Sequence, residues 1–207
     1  MFDLETVAII CALFFSVILH ECAHGLVALW CGDPTARDRG RLTLNPISHI
    51  DAFGTVVLPV TLSLLRSMGF PLFPIGWAKP VPVNFSRLRH PRRDMFLVGM
   101  AGPLTNILIA LTAVALFHLW STASFGVRSL LEMVMVLNLI LAFFNLTPIP
   151  PLDGSRMVMS LLPRTWAQQY LRLEPFGIVI VLLLLNIGLF NVIGSVAGGI
   201  LRWLGVV

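Results

Sequence analysis

The chain has 207 residues, 57% of them hydrophobic and only 12% charged, with three cysteines and a net charge of +4. A soluble domain carries about 25% charged residues, so this composition excludes an ordinary soluble enzyme and points to an all-α integral membrane protein in contact with the lipid bilayer. The excess positive charge sits in short loops, with no basic arm and no aromatic-interleaved patch, which argues against a nucleic-acid partner and makes charge a guide to topology.

The N-terminus is acidic (Asp3, Glu5) and lacks a basic leader, so residues 6–31 are expected to form a retained first span. That span ends on His20-Glu-Cys-Ala-His24. Histidines four apart share one helix face, and two imidazoles at that spacing can share one zinc ion while Glu21 holds a water beside it. Ionisable groups are costly in hydrocarbon, so this cluster is a functional-site candidate by default. Cys11, Cys22 and Cys31 fall on or just after the same segment, where a disulfide framework has no place. Cys22 lies roughly 200° around the helix from His20 and is a poor ligand.

Gly32-Asp33-Pro34 closes the span, and a polar loop with Arg37, Arg39 and Arg41 follows to residue 51. His49 in this loop is open to a metal contact, to a bond that orients a ligand, or to a structural role. Residues 52–65 are apolar but too short for a span of about 20 residues. Loop 79–94 is the most basic of all, with Lys79, Arg87, Arg89, Arg92 and Arg93. A full crossing by 52–65 would put it on the wrong side under the positive-inside rule. A re-entrant hairpin over 52–78 removes that conflict. Arg41-Leu-Thr-Leu-Asn45 and Lys79-Pro-Val-Pro-Val-Asn84 are extended stretches near the cytoplasmic face with two readings: short strands whose edge could hold an unwound substrate, or plain connections between elements.

Residues 95–120 and 128–146 are further spans, joined by an uncharged turn. Asn106 is expected to hydrogen-bond across helices. The second of these spans runs into Asn145-Leu-Thr-Pro-Ile-Pro-Pro-Leu-Asp153-Gly154, where Pro148, Pro150 and Pro151 end the helix. An ionised Asp153 here needs a cation, with zinc or Arg156 as the alternatives. A polar segment, 155–174, precedes two short apolar segments, 176–190 and 192–206, divided near Asn191. The total is five to six membrane segments in one domain, 1–207. The charge pattern places His20, His24 and Asp153 near the cytoplasmic side.

HECAHG (20–25) and NLTPIPPLDG (145–154), supported by LNPISHID (44–51), GWAKPVPVN (76–84) and AGPLTN (101–106), resemble the site-2 protease family of intramembrane zinc metalloproteases. The resemblance covers nearly the whole chain and matches the compact prokaryotic members without PDZ or CBS domains. It implies one zinc per chain held by His20, His24 and Asp153, Glu21 as general base, and Asn145 as a contact to substrate backbone or oxyanion. It further implies transmembrane proteins as substrates and a multi-pass location in a prokaryotic cell membrane. Ser155, where a second glycine often follows Asp-Gly, is a mild departure. Two rival readings share the intramembrane ionisable groups: a metal-ion transporter, and a catalytically silent protein that binds membrane partners. The outer halves of the spans are nearly free of ionisable residues, unlike a transport path.

Overall fold

A computed structural model describes residues 4–69, 76 and 78–206. In chain order the α-helices are α1 (Leu4–Trp30), α2 (Thr35–Asp38), α3 (Leu58–Ser67), α4 (Pro91–Leu119), α5 (Phe125–Leu146), α6 (Asp153–Leu161), α7 (Arg164–Leu171), α8 (Gly177–Asn186) and α9 (Leu189–Trp203). Four helical stretches are long and apolar enough to cross a membrane: Val7–Trp30, Pro91–Leu119, Phe125–Leu146 and Arg164–Asn186. The last joins α7 and α8 through the 3-10 turn Glu174–Phe176.

Helix α4 is the centre, packing against α1, α5 and α6. Its buried face is built from small residues, with Gly99, Ala101, Gly102, Ala110 and Ala113 in register. Lipid tails are as apolar as leucine, so helices in a bilayer gain by close backbone approach. At one end, Ala110, Ala113 and Phe117 meet Met135 and Leu139 of α5 and Ala197 and Leu201 of α9. At the other, Ala28 of α1 packs on Leu88 and Val98. Pro103 lies inside α4 and is fully buried. Large apolar side chains on α3, α8 and α9, such as Leu64, Leu183 and Val192, are more than half exposed, as lipid-facing positions are.

The two ends of segment 52–78 meet. Residues Ala52–Val57 form a π-helix that continues into α3, and a turn at Met68-Gly69 follows. Gly76 then lies so close to Gly54 that a Cβ there would stand 2.7 Å from the Gly54 carbonyl oxygen. The Lys79 N–H donates to the His49 carbonyl (2.9 Å). The described ends of the segment thus lie together; residues 70–75 and 77, over which the expected hairpin would return, lie outside the described residues.

The expected strands do not form among the described residues. Residues 41–45 and 79–84 run without regular secondary structure, and the bonds between them come from a side chain. Arg41 Nη2 donates to the carbonyls of Lys79 (2.8 Å) and Pro80 (3.3 Å). Pro80 and Pro82 have no N–H for a ladder, and the Thr43 carbonyl is taken by Cys22 Sγ and His49 Nε2. The final apolar pair also breaks at a different residue from the one expected. Gly188, at φ 104°, turns α8 into α9, a conformation open to glycine and costly for Asn191. The polar stretch 155–174 is helical over most of its length, as α6 and α7.

Asp33, fully buried, ties the loop 79–84 to the end of α1. Its carboxylate accepts from the Thr35 N–H (3.1 Å), the Thr35 hydroxyl and the Asn84 N–H (2.6 Å). Burial alone would raise the carboxyl pKa; the hydrogen bonds, helped by the Arg87 charge, outweigh it and hold the pKa below its ordinary value. A lowered folded-state pKa means that this stabilisation is complete above about pH 4 and is lost as pH falls through the folded value. Asp33→Asn is therefore expected to cost about 1–3 kcal/mol at pH 7. Thermal unfolding in detergent should show the gap between parent and variant closing as the medium is acidified below pH 4.

Candidate metal centre

His20, Glu21 and His24 stand on α1, and 100° per residue sends Glu21 to a different face from the two histidines. His20 and His24 point towards α4 and α6. Each is 7% exposed. Their Nε2 atoms are 3.0 Å apart. Asp153, the first residue of α6, brings Oδ2 to 3.1 Å from His20 Nε2 and 3.2 Å from His24 Nε2. Oδ2 is buried, and despite that proximity no hydrogen bond of good geometry reaches it. Arg156, the other partner open to Asp153, is engaged elsewhere: its Nη2 donates to Glu174 Oε1 at 2.5 Å.

The far side of each imidazole is fixed. His24 Nδ1–H donates to the Val98 carbonyl (2.6 Å). With Nδ1 protonated, His20 donates to Asn106 Oδ1 (3.3 Å), and Asn106 is fully buried on α4. The carbonyl partner selects for His24 the tautomer whose Nε2 carries a lone pair, and the Asn106 contact is compatible with the same tautomer in His20. Two such nitrogens and a carboxylate oxygen then face one another at 3.0–3.2 Å. Without a cation among them they repel. Tetrahedral zinc with bonds of about 2.0–2.1 Å holds its ligand atoms about 3.3 Å apart, so the three residues present fit that ion, and among the described residues they are the one group of three or more with ligand atoms this close.

Backbone approach makes the cluster possible. A Cβ on Gly102 would stand 2.4 Å from His24 Nε2 and 2.5 Å from His20 Nε2, so α4 meets the imidazoles through a bare backbone. A Cβ on Gly99 would touch the Asp153 carbonyl oxygen at 3.2 Å. Gly154 lets α6 start beside the end of α5, since a Cβ there would overlap the Leu146 carbonyl oxygen at 2.2 Å.

Glu21 Oε2 accepts the Val81 N–H at 2.8 Å, which fastens the extended stretch 79–84 over the cluster. The same residues line a cavity of about 310 Å³, where His20, Glu21, His24, Asn145, Asp153 and Arg156 face Pro80, Val81 and Phe85. Asn145 Nδ2 donates to the Leu141 carbonyl one turn back (3.0 Å), leaving a second amide hydrogen. Thus all five residues singled out by motif line one cavity. His49 is not among the lining residues: it is fully buried, with Nε2 on the Thr43 carbonyl (2.8 Å) and no hydrogen-bond partner at Nδ1. Asn106 bonds across helices as expected. The Val98 carbonyl and the close approaches at Gly99 and Gly102 carry no chemical signature in sequence.

Gly102→Ala is expected to displace an imidazole and lower Zn²⁺ affinity roughly 10-fold or more, measured by chelator competition on purified protein. Gly126→Ala, with nothing within 4 Å of the new Cβ, should leave it unchanged.

Residues 114–188, which include Asn145 and Asp153, match the model of peptidase family M50. "Putative zinc metalloprotease YwhC" of Bacillus subtilis is 37% identical over 184 residues, covering 85% of this chain and 78% of its own length. "Putative zinc metalloprotease Rip2" of Mycolicibacterium smegmatis is 30% identical over 72% of this chain and 54% of its own length. The protein of the same name from Mycobacterium tuberculosis is 32% identical with the same coverage. No solved structure gives a significant match. Identity of this extent, over most of both chains in the first case, settles kinship: the chain belongs to peptidase family M50, the family of the site-2 proteases.

Proposed function

We propose that this chain is an intramembrane zinc metalloendopeptidase that hydrolyses peptide bonds in or near the transmembrane segments of other membrane proteins, as in regulated intramembrane proteolysis. The observation that carries the reading is the meeting of His20 Nε2, His24 Nε2 and Asp153 Oδ2 within 3.2 Å. These residues would hold one zinc per chain. When bound, zinc supplies Lewis-acid polarisation of a peptide carbonyl and makes water a better acid. Glu21 takes the proton from the attacking water and passes it to the leaving amine. The Val81 N–H aims the Glu21 carboxylate into the cavity. The second amide hydrogen of Asn145 is available to the oxyanion that develops on the scissile carbonyl.

Placement follows from charge. The polar segments are tied together at one end of the bundle: Arg41 to Lys79 and Pro80, Asp33 to Asn84, and Arg89 N–H to the Cys31 carbonyl. The cavity opens among the same segments. The positive-inside rule favours the cytoplasmic side for that end, which supports an active site near the cytoplasmic face of the membrane. A helical substrate hides its carbonyls in its own hydrogen bonds, so cleavage needs local unwinding, easiest at glycine, proline or polar residues.

Glu21→Gln separates this reading from a transporter and from a silent binder. Zinc content should stay near that of the parent while cleavage of a generic transmembrane substrate falls by 100-fold or more, within the ~10²–10⁴ typical of general acid–base catalysis. Equal cleavage by both forms would refute the role of Glu21.

A further inference from the structure

A second concavity, larger than the first, lies where the start of α4 meets α6 and α7. It has a volume of about 550 Å³ and is lined by Arg92, Arg93 and Arg164 over a floor that includes Met95, Met159 and Leu162. The three arginines are exposed, and none forms a salt bridge among the described residues. Asp94, the nearest acid in sequence, turns its carboxylate back onto the His90 N–H (2.7 Å) and is buried. Three arginines without a salt-bridge partner among the described residues thus line a mostly apolar cavity, and no carboxylate lines it.

The position in the fold selects the ligand. Arg92 and Arg93 occupy the first turn of the candidate span Pro91–Leu119, so they stand where hydrocarbon gives way to headgroups. Arg164 opens α7, whose Trp166 is 64% exposed, a residue type that gathers at membrane interfaces. Guanidinium groups bind phosphate oxygens in pairs of parallel hydrogen bonds. The methionine and leucine floor offers apolar surface to a chain attached to that phosphate. A free phosphate would use the rim and leave the floor unused; an anionic phospholipid uses both.

We propose that this cavity binds one anionic phospholipid, its phosphate among Arg92, Arg93 and Arg164 and the upper part of its acyl chains on Met95, Met159 and Leu162. The site is separate from the His20–His24–Asp153 cluster and does not depend on the reaction proposed there.

The test is native mass spectrometry of the purified full chain titrated with phosphatidylglycerol, with phosphatidylcholine as the neutral lipid. The expected result is a saturating adduct of one phosphatidylglycerol, with phosphatidylcholine at least tenfold weaker. The triple variant Arg92→Gln, Arg93→Gln, Arg164→Gln should lose on the order of 100-fold in affinity, about fivefold per arginine. The same substitutions at Arg37 and Arg39, on the other basic loop, should change it less than twofold. Circular dichroism of both variants confirms folding, and an Arg→Lys triple variant, which keeps the charge but not the paired hydrogen bonds, should recover only part of the binding. Equal phosphatidylglycerol binding by the parent and the folded glutamine variant would overturn the proposal. So would inorganic phosphate or glycerol 3-phosphate competing at the same concentration as the lipid, since the apolar floor would then contribute nothing.

Discussion

Three electron-rich atoms, two imidazole nitrogens and one carboxylate oxygen, are held within 3.2 Å of one another on helices that bury them in an apolar bundle. Left to themselves they would separate, and much of the surrounding structure is arranged so that they do not. Asn106 and the Val98 carbonyl grip the imidazoles from behind. Gly102 removes the side chain that would otherwise fill the cluster, and Gly154 lets α6 begin close enough to α5 for Asp153 to arrive. Helix α4 is in contact with α1 and α6 together, which is why the small residues lie on it. A cation resolves the repulsion, and in the proposed reading the metal stabilises the packing as well as serving the chemistry.

The second organising element is the extended stretch 79–84. It is fixed at Val81 by Glu21, at Asn84 by Asp33, and at Lys79 and Pro80 by Arg41. These ties turn a loop into the wall of the cavity. Arg156 reaches from the helix that carries Asp153 towards both this wall, where it lies 5.5 Å from the Phe85 ring, and Glu174 at the base of α8. A single side chain thus links the ligand helix, the wall and the C-terminal hairpin.

What could be read from the residues was the chemistry that stands out against an apolar background. His20, Glu21 and His24 share a turn, Asp153 follows a proline break, and each is costly in a membrane without a purpose. The long spans were legible from hydropathy, and the bond of Asn106 from its polarity inside one of them. Backbone chemistry was not legible. The Val98 carbonyl looks like any other in sequence, and nothing in the sequence shows which side chains Gly99 and Gly102 must clear. The strands expected at 41–45 and 79–84 do not form because prolines remove donors and because Arg41, His49 and Cys22 claim the carbonyls of these stretches. The turn of the last hairpin went to Gly188 because φ near 104° suits glycine. Asp33 looked like helix-terminating punctuation; three local hydrogen bonds make it a clamp.

The central claim is that α1 and α6 together grip one divalent ion. Zinc K-edge absorption spectroscopy of the purified chain tests it most directly. The account predicts one zinc per chain with nitrogen and oxygen neighbours at about 2.0–2.2 Å, an imidazole scattering pattern for two histidines, and loss of the signal in Asp153→Ala. A sulfur neighbour at about 2.3 Å, or full zinc retention without the Asp153 carboxylate, would contradict it.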